Sequence, residues 1–381
     1  MSADHEEVLV VGDLHLHRGA DPAVARDLAR LLRQQERPGR LVLNGDVFDL
    51  DRVAGEPGAG VGAELAVARV ACILECFPGL VDGLSGWLAG GGRIVWLPGN
   101  HDAEVCRPEV RELLREWLGT AGDELCFESE AFRERGLHVE HGHQRDPDNR
   151  FHPDTASAVA ADRLSALPLG CLVTRLLLGR IPAFENRGDN HQTPGRVLAR
   201  VLRDHRLGAL KMIALYFAAG VKIAVQASRA RRRGDTASGS TMASPAAVLR
   251  RMYLDRMVLA FLLPLFLVLG LAGVLAPASL PSIDPGAALA AGLPCAGLLL
   301  VRPRRRREQF SHRDQLGCRG AARELLEAGA SLVIMGHTHG TERLETGRGV
   351  YLNPGAFDRV EPGGRPYARV SGRAAGVEFL R

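Results

Sequence analysis

The stretch Val8-Leu9-Val10-Val11-Gly12-Asp13-Leu14-His15-Leu16-His17 decides how the rest of the chain is read. A short β-branched run ends in a glycine, and a carboxylate and an imidazole follow at once. The run has the signature of a buried strand. The glycine permits the tight turn that aims side chains at one point. The unit then recurs. Arg40–Leu43 leads into Gly45-Asp46-Val47-Phe48-Asp49, Arg93–Leu97 into Gly99-Asn100-His101-Asp102, and Leu137–Glu140 into His141-Gly142-His143. Near the C-terminus, Ser331–Met335 leads into Gly336-His337-Thr338-His339. Each polar motif lies at the C-terminal end of an apolar run, where α/β sheets place their ligand-binding loops.

Between the runs lie helical patterns at Pro22–Gln35, Gly62–Leu88, Pro108–Leu118 and Ala321–Ala328. The alternation predicts an α/β sheet domain. Further strands are expected at Val350–Leu352, Tyr367–Val370 and Gly376–Leu380, the last two forming a hairpin around Gly372. Cys72 and Cys76, four apart on a predicted helix, read as core. The Gly-rich Gly55–Gly62 lacks a following Lys-Ser/Thr and is no P-loop.

The motifs gather Asp, His, Asn and no thiolate, a donor set suited to divalent first-row ions such as Mn, Fe or Zn. Asp46 is the candidate bridge between two of them. Two ions roughly 3.5–4 Å apart clamp phosphate oxygens and acidify a water, which is the chemistry phosphate-ester hydrolysis requires.

In order, D-x-H, G-D-x-x-D, G-N-H-D, a Gly-His pair and G-H-x-H resemble the calcineurin-like metallophosphoesterases, over about 1–150 and 311–381. The resemblance implies a β-sandwich flanked by helices, four layers in α/β/β/α order. It places Asp13, His15, Asp46 and His339 on a first metal, and Asp46, Asn100, His141 and His337 on a second. It sets His101 beside the metals as phosphate binder or general acid, with Asp49 orienting it. Manganese is the first expectation, with iron or zinc also suited. The loop residues Asp146 and Asn149 either order a metal histidine or contact substrate, or simply form an Asx turn. His17 and His143 read as supports behind the metals, substrate contacts or simply exposed residues, and His191 either reaches the site from the insert or belongs to a solvated loop. Glu185–Thr193 reads as a solvated loop.

The middle of the chain differs in composition. Met257–Leu275 is 19 residues without a charge and Gly286–Val301 another 16. At helical rise these span roughly 28 and 24 Å, near hydrocarbon thickness. Arginines crowd both outer flanks, Arg229–Arg256 and Arg302–Arg307, whereas the connection 276–285 holds only Asp284. The positive-inside rule then puts both ends in the cytoplasm. A transmembrane hairpin is the favoured expectation, against buried helices of a soluble insert or a hairpin lying in the interface. Leu210, Ile213, Phe217 and Val221 repeat at helical spacing, so 207–226 reads as an amphipathic helix, on a membrane surface or as a packed cap. The expected organisation is thus 1–150 and 311–381 as two parts of one catalytic domain, with 151–310 a helical insertion carrying the hairpin at 257–275 and 286–301.

Composition excludes little else. The net charge is +4 over 381 residues, too small an excess to argue for nucleic acid, and none is expected as partner. Seven scattered cysteines form no disulfide or zinc pattern. The acidic start of the chain does not read as a cleaved signal. The expected function is a membrane-associated dinuclear phosphoesterase facing the cytoplasm. It would cleave a phosphomonoester, phosphodiester or diphosphate, lipid-linked in the first reading, by attack of a metal-activated hydroxide. The alternatives are an anchored enzyme for soluble nucleotides or phosphoproteins, and a non-catalytic scaffold. The arrangement is distantly similar to UDP-diacylglucosamine pyrophosphohydrolases, which have G-N-R-D where this chain has Gly99-Asn100-His101-Asp102.

Overall fold

A computed structural model describes residues 6–52, 61–176, 203, 214–215, 217–225, 228, 310–372 and 374–381. The strands are β1 (Val8–Val11), β2 (Arg40–Asn44), β3 (Arg93–Leu97), β4 (Leu125–Phe127), β5 (Ala131–Glu134), β6 (Leu137–Glu140), β7 (Leu332–Met335), β8 (Glu342–Thr346), β9 (Gly349–Asn353), β10 (Arg365–Ser371) and β11 (Ala374–Leu380). The helices are α1 (Pro22–Arg33), α2 (Ala63–Cys76), α3 (Pro78–Ala89), α4 (Pro108–Leu118), α5 (Thr155–Ala160), α6 (Leu169–Leu176) and α7 (Phe310–Glu327).

One sheet has six strands in the order β11-β10-β1-β2-β3-β4, the other five in the order β5-β6-β7-β9-β8. β1 to β4 run parallel, as do β6, β7 and β9. β10 and β11 pair antiparallel as the expected hairpin, with Gly372 in the left-handed region at φ +60°.

The apolar runs are continuous rather than alternating because both faces of each central strand are covered. On one face Val8, Val10, Val42, Val95 and Leu97 meet Val139, Ile334 and Leu352 of the second sheet. On the other face Leu9, Val11, Leu41, Leu43, Ile94 and Trp96 pack with residues of α1 to α4. Val333, Met335 and Tyr351 turn outward onto Cys318, Ala322 and Leu326 of α7. The result is the α/β/β/α layering.

Several boundaries depart from expectation. The pattern over Gly62–Leu88 is two helices, interrupted at Phe77 because Pro78 starts a new helix at its first turn. Cys72 is half-buried and Cys76 exposed, since the buried stripe of α2 runs through Ala66, Arg69, Val70, Ile73 and Leu74.

The chain divides into two compact units. The first comprises Met1–Gly188, Arg229–Thr241 and Ser311–Arg381, and so takes in α5 and α6 beyond the expected limit at residue 150. The second comprises Asp189–Ser228 and Met242–Phe310. Within it residues 217–225 are helical, with Ile223 buried but Val221 exposed, so Val221 does not join a buried stripe. Among the described residues no helix is long and apolar enough to cross a membrane. The hairpin segments 257–275 and 286–301, and His191 with its loop, lie outside the described residues.

Candidate metal centre

Five loops leave the C-terminal ends of β1, β2, β3, β6 and β7 and carry the residues singled out in the sequence. Their backbones are bent sharply. Asp13, His15, Asp46, His337 and His339 all have φ between +47° and +67°. Non-glycine residues in that region cost free energy and persist only where the surroundings hold them. Two glycines are dictated by close approach. A Cβ on Gly99 would lie 2.0 Å from Asp46 Oδ1, and one on Gly45 2.6 Å from the His141 ring.

The Asp102 carboxylate fastens the second loop to the third. It accepts hydrogen bonds from the backbone N–H of Gly99 (2.6 Å), Val47 (2.8 Å), Asp46 (3.1 Å) and Phe48 (3.3 Å). Sequence reading left it as the tail of a motif. Nothing in the spacing marks it as the clasp.

Six of the seven predicted ligands, all but Asn100, come together in measured contacts. Asp13 Oδ1 lies 3.2 Å from His339 Nε2, which is 3.1 Å from His15 Nε2. Asp46 Oδ2 lies 3.3 Å from His141 Nε2 and 3.9 Å from His15 Nε2. Ligand-capable atoms of Asp13, His15 and His339 fall within 4.8 Å of one another, as do those of Asp46, His141 and His337. His15, Asp46 and His101 make a third such group, so His15 and Asp46 each belong to two of the three.

Whether these residues fit cations is tested by their unused atoms. Asp13 Oδ1, Asn100 Oδ1 and His141 Nε2 are buried and accept no hydrogen bond. Such orphaned polar atoms are costly unless something else satisfies them. His141 donates through Nδ1 to the Asn44 carbonyl at 2.8 Å, so its neutral form presents a lone pair at Nε2. That lone pair faces the Asp46 carboxylate, and a cation is the species that reconciles the two. Burial opposes charge on His141, yet Asp46 outweighs it and raises the imidazole to about 9. Burial likewise opposes ionisation of Asp46 and Asp13. The neighbouring histidines, His141 first for Asp46 and His339 first for Asp13, hold both below the usual carboxylate range. The site favours positive charge held against its carboxylates.

The supports are now visible. Asp146 Oδ2 lies 3.1 Å from His337 Nε2, which leaves Nδ1 as the lone-pair nitrogen when Nε2 carries the proton. The same carboxyl caps its own loop, Oδ1 accepting from Asp148 N at 2.8 Å, so the ordering and Asx-turn readings both hold. Asn149 donates to Asp146 and accepts weakly from Asn100 Nδ2 at 3.4 Å. Arg359 Nη2 lies 3.1 Å from His339 Nδ1. His143 is buried with its ring 5.4 Å from that of His141 and its Nε2 3.3 Å from Thr155 Oγ1. Burial, then His141 and His337, pull it well below the usual imidazole value, so it is a neutral wall. His17 Nδ1 accepts from Gly19 N at 3.1 Å within a turn.

His101 stands beside this cluster, its ring 5.4 Å from that of His15. Its Nδ1 lies 3.0 Å from Asp51 Oδ2 and 3.5 Å from Asp49 Oδ1. Asp49 is therefore near His101 as expected, but Asp51, which sequence reading passed over, is nearer. Asp51 sits in a short helical turn, Leu50–Arg52, with no motif to flag it. Burial lowers the His101 pKa, but Asp49, Asp46 and the Asp51 hydrogen bond prevail and lift it to about 10.

Paired sheets between helical layers gather carboxylates and imidazoles on the loops at one end, in groups able to hold metal ions. The chain belongs to the calcineurin-like phosphoesterase family, whose sequence model matches residues 7–210. It is accordingly a hydrolase of phosphoric ester bonds. No curated protein matches the chain. Among solved structures it is similar to the phosphopantetheinyl hydrolase (PptH) of Mycobacterium tuberculosis, at 12% identity over 92% of this chain and 89% of that one. The TM-score is 0.27.

Proposed function

We propose that the chain is a two-metal phosphoesterase, associated with a membrane through its central segment and facing the cytoplasm, that hydrolyses a lipid-linked phosphate or diphosphate. The observation that carries the metal reading is the trio of buried, unsatisfied atoms, Asp13 Oδ1, Asn100 Oδ1 and His141 Nε2, on three different loops. The membrane reading rests on the two uncharged stretches and their arginine flanks.

Asp13, His15, Asp46 and His339 would hold one ion, and Asp46, Asn100, His141 and His337 the other. Bound there, two divalent ions supply Lewis acidity toward the phosphoryl oxygens and acidify the attacking water. The protein's own residues do the rest. Asp46 would serve both sites. The Asn44 carbonyl and Asp146 fix the tautomers of His141 and His337. His101, held at Nδ1, keeps a proton at Nε2 at neutral pH. As the water oxygen bonds to phosphorus, the bond to the leaving oxygen breaks with its electron pair. His101 Nε2 gives that oxygen its proton.

The test is turnover by purified full-length protein with Mn²⁺ on bis-p-nitrophenyl phosphate, a monoester and a phospholipid panel, with and without detergent. Metal-dependent release from phospholipids is expected, with the protein in the membrane fraction until residues 253–301 are deleted. No turnover of any ester with metal bound defeats the catalytic reading. Recovery of the intact chain in the soluble fraction defeats the membrane one.

A further inference from the structure

We infer that Asp51 is the carboxylate that orients His101, and that Arg175 of α6 holds Asp51 in place, making α6 a working part of the catalytic site. The inference rests on the hydrolytic role proposed for His101.

The two carboxylates near His101 are not equivalent. Asp51 divides its oxygens cleanly, Oδ2 meeting His101 Nδ1 at 3.0 Å and Oδ1 accepting from Arg175 Nε. Asp49 Oδ1 is buried without a hydrogen-bond partner, and its Oδ2 is drawn toward Arg52 Nε at 3.0 Å and His15 Nδ1 at 4.0 Å. An imidazole N–H given a choice bonds to the oxygen at 3.0 Å rather than the one at 3.5 Å. The proton on Nδ1 is therefore pinned by Asp51, and Nε2 is the nitrogen turned to the reaction.

Asp51 needs a partner of its own. Its side chain is fully buried, and a lone carboxylate there would be expensive. Arg175 supplies the charge. Its planar fork bonds Asp51 through Nε and Glu104 through Nη2, joining the loop after β2 to the helical turn after β3. Two further contacts fasten the helix to the loops after β3 and β6. Cys171 Sγ donates to the Asn100 carbonyl at 3.0 Å, and Gly170 N donates to Asp148 O at 2.9 Å. Three residues of one short helix thus brace the segments carrying Asn100, His101 and Asp146.

Asp51 and Arg175 are positioning residues: they act through His101 and touch no reacting atom. The experiment uses full-length, metal-loaded protein and two readouts. The first is the Nδ1 proton resonance of His101 in ¹⁵N-histidine-labelled protein, assigned by its loss in His101→Asn. The second is steady-state kinetics on phosphodiesters with good and poor leaving groups. Asp51→Asn is expected to lose the resonance and to lower kcat by about 10- to 100-fold with KM and metal content unchanged. The loss should grow as the leaving group worsens. Arg175→Met should shift in the same direction and recover in part with added guanidinium. Should Asp51→Asn fail to fold, Asp51→Asn/Glu104→Gln/Arg175→Met removes all three paired charges together, and the same kinetic split is expected. Retention of resonance and rate in Asp51→Asn, with both lost in Asp49→Asn, overturns the assignment. A wild type that keeps the resonance yet turns over no ester sinks the hydrolytic role of His101 and leaves the hydrogen bond standing.

Discussion

Replacing Gly99 by alanine tests how tightly the second and third loops are built against each other. The added Cβ would lie 2.0 Å from Asp46 Oδ1, 2.4 Å from Asp46 N and 2.6 Å from Asp46 Cγ. The shortest contacts that real Cβ atoms make are about 3.0 Å, so the Asp46 carboxylate must retreat by about 1 Å. It has little room. Its Oδ1 accepts from His101 N at 2.8 Å, and its own N–H is tied to Asp102. A misplacement of that size costs on the order of 100-fold in rate when the residue positions the reacting centre. The strain should destabilise the fold by about 1–3 kcal/mol. The assay is bis-p-nitrophenyl phosphate hydrolysis by Gly99→Ala at saturating Mn²⁺, with bound metal measured on the same sample. Gly86→Ala in α3 is the control, since nothing lies within 4 Å of its new methyl group. It should be neutral or stabilising by about 0.5–1 kcal/mol. Wild-type metal content and rate in Gly99→Ala would refute the reasoning.

Three other outcomes are expected. Asp46→Asn should lose turnover and bind less metal than wild type, because the carboxylate proposed to serve both ions becomes neutral; equal metal content by mass spectrometry counts against the bridge. Asp102→Ala strips the acceptor from four buried N–H groups and should lower stability by about 3 kcal/mol or more, read from urea unfolding; a loss under about 1 kcal/mol contradicts the clasp. Burial alone would raise the Asp51 pKa, but Arg175 and His101 hold it below its ordinary 3.8. The stability it contributes is therefore present above that value and fades as the pH falls through the lowered one. In Arg175→Met that acid-limb slope should flatten, and an unchanged urea midpoint profile from about pH 5 down to about pH 2 would rule the coupling out.

The strands that carry the site were legible because each is covered on both faces and so is written as an uninterrupted apolar run. Val8–Val11, Arg93–Leu97 and Leu137–Glu140 fall where the pattern put them, within a residue. β4, β5 and β8 were not seen. They lie at or near sheet edges, are short or half-exposed, and carry polar residues such as Arg133, Glu134, Glu342 and Glu345 in place of an apolar signature. The seven proposed ligands were legible for a different reason, since loop chemistry after a strand is local in sequence. Their supports were not. Asp51 and Arg175 are 124 positions apart, and Asp146 and His337 are 191 apart. A buried ion pair formed by the fold leaves no periodicity to read. The uncharged segments that prompted the membrane reading lie outside the described residues.

The pairing of β7 between β6 and β9 has a consequence for how this enzyme comes into being. Asp13, Asp46, Asn100 and His141 leave the ribosome early, but His337 and His339 follow almost two hundred residues behind even the last of them. The nascent chain therefore carries half a pocket past every phosphate in the cell while its greasy middle is being made. On the metal assignment proposed above, it stays inert until its last strands slot home, and birth as a hydrolase coincides with completion of the fold.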